Sequence, residues 1–257
     1  MSNHTFGDFK MNLTKKIHYF IRTVLLFIIS KFFRIDKSIS DVHISHAFYA
    51  PWKDDLEFMN QYKLISNYTI CDVYRLFSIW YLFSQIKNQS GKILDIGCYK
   101  GGISFLLSKL DKKNKFYFID TFEGHKKISK EDGILIKQGQ HKYSNILELE
   151  KNIKNFSILN YQILKGIFPD ETLNEIELKN IKFVHLDVNL ASYTKKILFL
   201  IKDKMVNNGI IVIDDYGITS CEEITKFVNQ VSKELNNEFH FFYNYFGQAV
   251  MIKKIKD

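Results

Sequence analysis

The chain has 257 residues, 46% of them hydrophobic and 15% aromatic, enough for one large domain or a domain with an arm. Its net charge of +8 is uneven: residues 1–40 hold seven Lys/Arg against two Asp, and the near-neutral remainder argues against a nucleic-acid groove spread over the whole domain. Cys71, Cys98 and Cys221 lack zinc-ligand spacing and read as reduced, buried thiols of a cytoplasmic protein.

The N-terminal segment is an amphipathic arm over residues 1–48. Ile17, Phe20, Ile21, Val24, Ile28 and Phe32 share one helical face, with Lys15 and Lys16 before it and Arg22, Lys31 and Arg34 within and after it. The uncharged stretch between Arg22 and Lys31 is eight residues, whereas a spanning helix needs about twenty apolar ones. Two readings stand: peripheral contact with an anionic membrane surface, or docking on the body or on a second copy in a homo-oligomer.

From residue 72 onward, helix and strand patterns alternate. The spacing predicts a helix over 73–83 and a short apolar strand over 92–97. A helix carrying Ile103, Leu106, Leu107 and Leu110 follows, then strands over 115–120, 161–165 and 181–187. Residues 122–143 read as a loop or short helix. A helix is expected through Lys195 to Met205, then a turn at Asn207–Gly209 feeding the strand IVIDD. Ser220 and Glu223 suggest a capping box for a further helix, and residues 238–243 and 248–252 a closing hairpin. Such alternation implies an α/β fold with a mostly parallel sheet that binds ligands at the carboxyl ends of its strands. Asp95, Asp120, Asp187, Asp214 and Asp215 are all expected at that edge.

The turn Asp95-Ile-Gly97-Cys-Tyr99-Lys-Gly101-Gly102 spaces its glycines G-x-x-x-G-G, not G-x-G-x-x-G. That argues against a nicotinamide cofactor and suits S-adenosylmethionine (SAM), which carries an ammonium, a sulfonium and a ribose diol but no phosphate. Asp120, closing the second strand, is placed to accept from ribose hydroxyls. A tight βα turn without a ligand is the competing reading.

The segments PWKDDLEF (Pro51–Phe58), ILDIGCYKGG (Ile93–Gly102), DTFEGH (Asp120–His125), LKGIFPDE (Leu164–Glu171), HLDVNL (His185–Leu190) and IDDYG (Ile213–Gly217) together resemble the macrocin O-methyltransferase family. The resemblance implies a Rossmann-like SAM-methyltransferase domain over 49–257, with an antiparallel closing hairpin after the parallel strands and the helical arm before them. It also implies O-methylation of a sugar or glycosylated small molecule with help from Mg²⁺. Carried over, Asp187, Asp214 and Asp215 would be the metal ligands. Thr121, Phe122 and Gly166 would join Asp95, Gly97, Tyr99, Gly101, Gly102 and Asp120 around SAM. The loop holding GQHKYS (Gly139–Ser144) would face the substrate, with Gln140 and Tyr143 where the family has acids.

One position departs from the family. A second acid, which looks like the general base, usually follows the first metal ligand by two residues; here it is Asn189, and an amide takes no proton from a hydroxyl. Three explanations compete: the metal acidifies the acceptor and water takes the proton, His185 or His141 serves instead, or the protein is a degenerate SAM-binding scaffold without turnover.

Overall fold

The computed structural model describes residues 50–255 apart from 133–135, 143–144 and 245, together with Ile17, Phe20, Ile21, Val24 and Leu25. Chain contacts separate residues Met1–Tyr49 from Ala50–Asp257. In the first unit the five described positions are helical and exposed; Ile28, Phe32 and the flanking basic residues lie outside the described set, as does Tyr143. No helix among the described residues is long and apolar enough to cross a membrane.

In the second unit, α1 (Leu56–Ile65) and α2 (Val73–Ile86) precede a seven-stranded sheet. Its members, with their intervening helices, are β1 (Lys92–Ile96), α3 (Gly102–Leu107), β2 (Phe116–Asp120), α4 (Ile146–Asn155), β3 (Tyr161–Lys165), β4 (Ile181–Leu186), α5 (Ala191–Ile201), β5 (Met205–Asp214), α6 (Glu222–Glu234), β6 (Phe239–Asn244) and β7 (Gln248–Lys253). The spatial order is β3-β2-β1-β4-β5-β7-β6. β1 to β5 run parallel, and β7 is antiparallel to both β5 and β6. The expected mostly parallel sheet with an antiparallel closing hairpin is what the chain forms.

Alternation along each strand divides the core into two layers. Leu94, Ile96, Val184, Leu186, Ile211 and Ile213 face α5 and α6, whereas Ile93, Phe116, Phe118, Phe183, Ile210 and Val212 face α1 to α4. Both faces are therefore dry, as a parallel sheet requires. Three helix starts are fixed by side-chain caps, those of α1, α2 and α4: Asp55 accepts from the Phe58 N–H, Asp72 from Tyr74 and Arg75, and Asn145 from Leu147.

Several expectations are corrected. The turn foreseen at Asn207–Gly209 is a kink inside β5, where Asn208 takes φ +61° and the register with β4 shifts. The helix expected to reach Met205 ends at Ile201, with one 3₁₀ turn to follow. Ser220 does not cap α6, because a 3₁₀ turn over Thr219–Cys221 intervenes and the helix starts at Glu222. Two helices, α1 and α4, were not foreseen.

Candidate active site

Parallel strands bring their carboxyl ends to one edge, and the connections leaving β1 and β4 part there because they cross on opposite faces of the sheet. A cavity of about 340 Å³ opens at this point, a size that suits a small molecule. Gly97, Tyr99, Gly102, Asp120, Thr121, Gly166, His141, His185, Asp187, Asn189 and Asp215, all anticipated from the sequence, line it. Asp95, Gly101, Phe122 and Asp214 do not; they lie behind its wall.

The turn after β1 is pinned from two sides. Gly97 has φ +84°, and a Cβ there would fall 1.7 Å from the Asp187 carbonyl oxygen, so only glycine lets β1 pass the end of β4. The two oxygens of Asp120 accept N–H bonds from Tyr99 (2.9 Å) and Phe122 (2.8 Å), tying the turns after β1 and β2 together. Burial raises the pKa of Asp120 against those two bonds. Each oxygen keeps a lone pair for a further donor, which fits a ribose diol.

Along the wall, through His185, Arg75 and Cys71, and behind it, at Asp95 and Asp214, runs a buried polar stripe. The sheet register pairs Asp95 with His185 and His185 with Val212, and Asp214 stands two residues beyond Val212 on the same face. His185 Nδ1 meets Asp95 Oδ1 at 3.0 Å, and its Nε2 meets Asp214 Oδ2 at 3.5 Å. Arg75, anchored at the start of α2 by Asp72 (2.9 Å), donates to Asp214 Oδ1 at 3.1 Å, and the Cys71 thiol donates to Asp214 Oδ2 at 3.3 Å. Ser104 donates both its N–H (3.2 Å) and its hydroxyl (2.8 Å) to Asp95 Oδ2. Burial opposes charge on His185, yet its bonds to Asp214 and Asp95 push its pKa well above the ordinary value. Asp214 likewise overcomes burial: His185 and Arg75 hold it below the usual carboxylate range. His185, anticipated as a proton acceptor, has both ring nitrogens facing carboxylates, an arrangement that favours the protonated ring over a free base. Asp95, anticipated beside SAM, instead holds α3 and His185.

At the cavity wall the balance is different. Burial, then Asp215 and Asp214, push Asp187 well above its ordinary value, and burial with Asp214 raises Asp215. What joins the two is Asn189 in a left-handed conformation (φ +54°): its Nδ2 donates to Asp187 Oδ1 at 3.2 Å and to Asp215 Oδ2. Ligand-capable atoms of Cys71, His185, Asp187 and Asp214 lie within 4.8 Å of one another. The Cys71 thiol is pushed up to about 12 by burial, and His185 is engaged at both nitrogens. The donors left for a cation are carboxylate oxygens, a set that fits a hard divalent ion such as Mg²⁺.

The loop after β2 closes the other side. Asp132, almost fully buried, accepts from the N–H (2.8 Å) and hydroxyl (3.0 Å) of Ser192 in the first turn of α5, and from Ser129 (2.7 Å). This clasp brings the loop to the β4–α5 junction and places His125 and His141 on the cavity wall, ring centroids 5.4 Å apart. Arg75 and His125 were both missed as site residues in the sequence. His125 carried a signal, since it ends the DTFEGH segment; Arg75 carried none.

The sequence profile of the macrocin-O-methyltransferase (TylF) family matches residues 65–239, more than half of the chain. A relative from Streptomyces olivaceus, an 8-demethyl-8-(2,3-dimethoxy-alpha-L-rhamnosyl)-tetracenomycin-C 4'-O-methyltransferase, is 23% identical over 146 residues. That match covers 52% of this chain and 56% of the relative, so the chain spans just over half that protein's length. Among solved structures, the O-methyltransferase NovP superposes with a TM-score of 0.63 at 18% identity, over 73% of this chain and 83% of that one. The calicheamicin methyltransferase CalS11 gives 0.60 at 16% identity, over 83% and 99%.

Proposed function

The chain belongs to the macrocin O-methyltransferase family, and on that footing we propose a SAM-dependent O-methyltransferase acting on a hydroxyl of a sugar or glycosylated small molecule, assisted by a divalent cation. The observation that carries the reading is the pairing, across one cavity, of the Gly97–Asp120 turn with the under-neutralised Asp187–Asp215 pair. The Streptomyces olivaceus relative, named as a 4'-O-methyltransferase of a rhamnosyl-bearing compound, supports a glycosylated acceptor.

In this reading the turn after β1 and Asp120 hold the donor. Asp187 and Asp215 on the wall, with Asp214 behind it, would hold Mg²⁺, which supplies a Lewis acid for the acceptor oxygen. Arg75 and His185 keep Asp214 ionised and in place. The acceptor enters past the loop after β2, and the protein's main contribution is to align the hydroxyl with the methyl carbon. We further propose that the chain works as a homo-oligomer in the cytoplasm, with the basic arm touching a membrane surface.

Asn189 favours a second reading, a SAM-binding scaffold without turnover. One experiment separates the two: calorimetry with S-adenosylhomocysteine and Mg²⁺, together with tritiated methyl transfer from SAM to a panel of nitrophenyl glycosides. The enzyme reading expects binding and Mg²⁺-dependent transfer that a chelator abolishes. Binding without transfer to any glycoside, and no gain on Asn189→Asp, favours the scaffold; no binding at all overturns both.

A further inference from the structure

Methylating a hydroxyl releases a proton, and the cavity must hold a group that takes it. Most candidates on the wall are unsuitable. Both ring nitrogens of His185 already face carboxylates, Asp95 at 3.0 Å and Asp214 at 3.5 Å. The Tyr193 hydroxyl donates to Asp170 at 3.0 Å, and burial pushes its phenol up to about 12; the Cys221 thiol is paired with the Ser220 hydroxyl at 3.8 Å. The Lys126 ammonium is stabilised by Glu123, 2.8 Å away. Asp187 and Asp215 are committed to the proposed cation. Among the histidines of the wall, His125 and His141 are left.

We propose that His125 Nε2 is the proton acceptor of the methyl transfer, with His141 as a positioning neighbour. The proposal rests on the methyl-transfer reading and names the base that Asn189 cannot be. His125 is held from both sides of its backbone: its N–H donates to the Gln140 carbonyl (3.2 Å), and its carbonyl accepts from the Gly139 N–H (2.9 Å). The preceding turn is closed by the Thr121 hydroxyl, which donates to the Gly124 carbonyl at 2.8 Å. Its Nε2 is shielded from solvent and has no hydrogen-bond partner among the described residues. Buried polar atoms are rarely left so unless a ligand completes them. A bound hydroxyl would be that partner.

The groups facing the ring are His141, Asp132 and Asn189, with the Lys126 side chain beginning one residue on. Burial and the neighbouring His141 lower the affinity of His125 for a proton, against the opposite pull of Asp132 and Asn189. The net direction keeps the ring neutral near pH 7, as an acceptor must be. In the step itself, the hydroxyl oxygen bonds to the methyl carbon as the carbon–sulfur bond of the sulfonium breaks. The sulfur keeps that electron pair and becomes a thioether, and the hydroxyl proton passes to Nε2 and later to solvent.

The test uses the full chain with SAM, Mg²⁺ and p-nitrophenyl α-L-rhamnoside as acceptor probe. His125→Gln is expected to slow transfer by about 10²- to 10⁴-fold, leave S-adenosylhomocysteine affinity within about twofold, and remove the acid limb of the pH–rate profile. Added imidazole should restore part of the rate in His125→Ala. A His125→Gln enzyme within threefold of wild type, or an unchanged acid limb, overturns the proposal while leaving the methyl-transfer reading intact. Wild-type failure to transfer to any glycoside strikes that reading instead. An arm independent of the acceptor then decides for His125: imidazole ¹⁵N NMR in the presence of S-adenosylhomocysteine and Mg²⁺. A neutral ring at pH 7, whose titration moves upward in His141→Gln, supports the assignment; a ring protonated at pH 7 overturns it.

Discussion

Asp95 and Asp214, on the sheet face under α1 to α4, have every oxygen answered: by Ser104 and His185 in one case, by Arg75, His185 and Cys71 in the other. Asp187 and Asp215, at the cavity wall, share little more than one amide from Asn189. Both pairs stand at the carboxyl edge of the sheet, yet the first sits in a closed network and the second is held above its ordinary titration range by burial and then by neighbouring carboxylates. A closed network of buried charges fixes geometry. An open one has capacity for something that arrives from outside, and Asp214, answered from the inner side by Arg75, His185 and Cys71, joins the closed network to the open pair.

The contrast depends on β1 and β4 meeting where the structure places them, and Gly97→Ala strikes that point directly. An added Cβ would overlap the Asp187 carbonyl, a backbone atom that cannot step aside, at a φ of +84°. The expected outcome is a loss of more than about 4 kcal/mol, or failure to fold. Urea denaturation measures it, and a loss below about 1 kcal/mol would show that the two strand ends are not in contact.

Arg75→Met tests the closed side. The side chains of Arg75 and Asp214 are 15% and 0% exposed, so the change leaves a buried carboxylate with only His185 to offset it. Removing one partner of a buried pair costs roughly 3–5 kcal/mol. Ser104→Ala is gentler: Asp95 loses one of its two bonds from Ser104 but keeps His185, and about 1 kcal/mol is expected in the same denaturation assay. If Arg75→Met proved no worse than Ser104→Ala, the stripe would not be the charge-balanced unit described.

Much of this was legible in the sequence, for physical reasons. Apolar runs such as Ile210–Ile213, alternating with helical patterns, read as buried strands of a parallel sheet, and acids at their carboxyl ends fall at the ligand edge. The helices α1 and α4 were invisible because one polar residue interrupts each buried face. Gln61 turns inward to donate to the Phe105 carbonyl (2.9 Å), and Asn152 is buried beside Leu149 and Ile153. The kink in β5 carries ordinary turn residues, Asn207-Asn208-Gly209, so local chemistry pointed away from the strand that tertiary pairing imposes. In the site, the acids could be read and their partners could not. Arg75 reaches Asp214 across 139 positions, and His125 meets Asn189 only because Asp132 clasps its loop to α5. Such meetings follow from register and loop path, which no spacing rule encodes.

Asp187→Asn tests the open side most sharply, because its effect on stability is opposite in sign to the others. The folded-state pKa of Asp187 is raised, chiefly by burial and then by Asp215 and Asp214. A raised carboxylate favours the folded state fully below its unfolded value, about pH 4, and that contribution is lost as pH climbs through the folded value. Without divalent ions, the wild-type chain should therefore lose part of its stability as pH rises out of the ordinary carboxylate range toward neutrality. The amide does not titrate, so the variant should lack that decline and be more stable than the wild type near pH 7. Mg²⁺ reverses the order: it should raise the melting temperature of the wild type and leave Asp187→Asn almost unmoved. Thermal melts from pH 4 to 8, with Mg²⁺ or chelator, resolve both effects. A variant less stable than wild type in chelator at pH 7 would mean that Asp187 is as fully answered as Asp214, and the cavity wall would then be scaffold too.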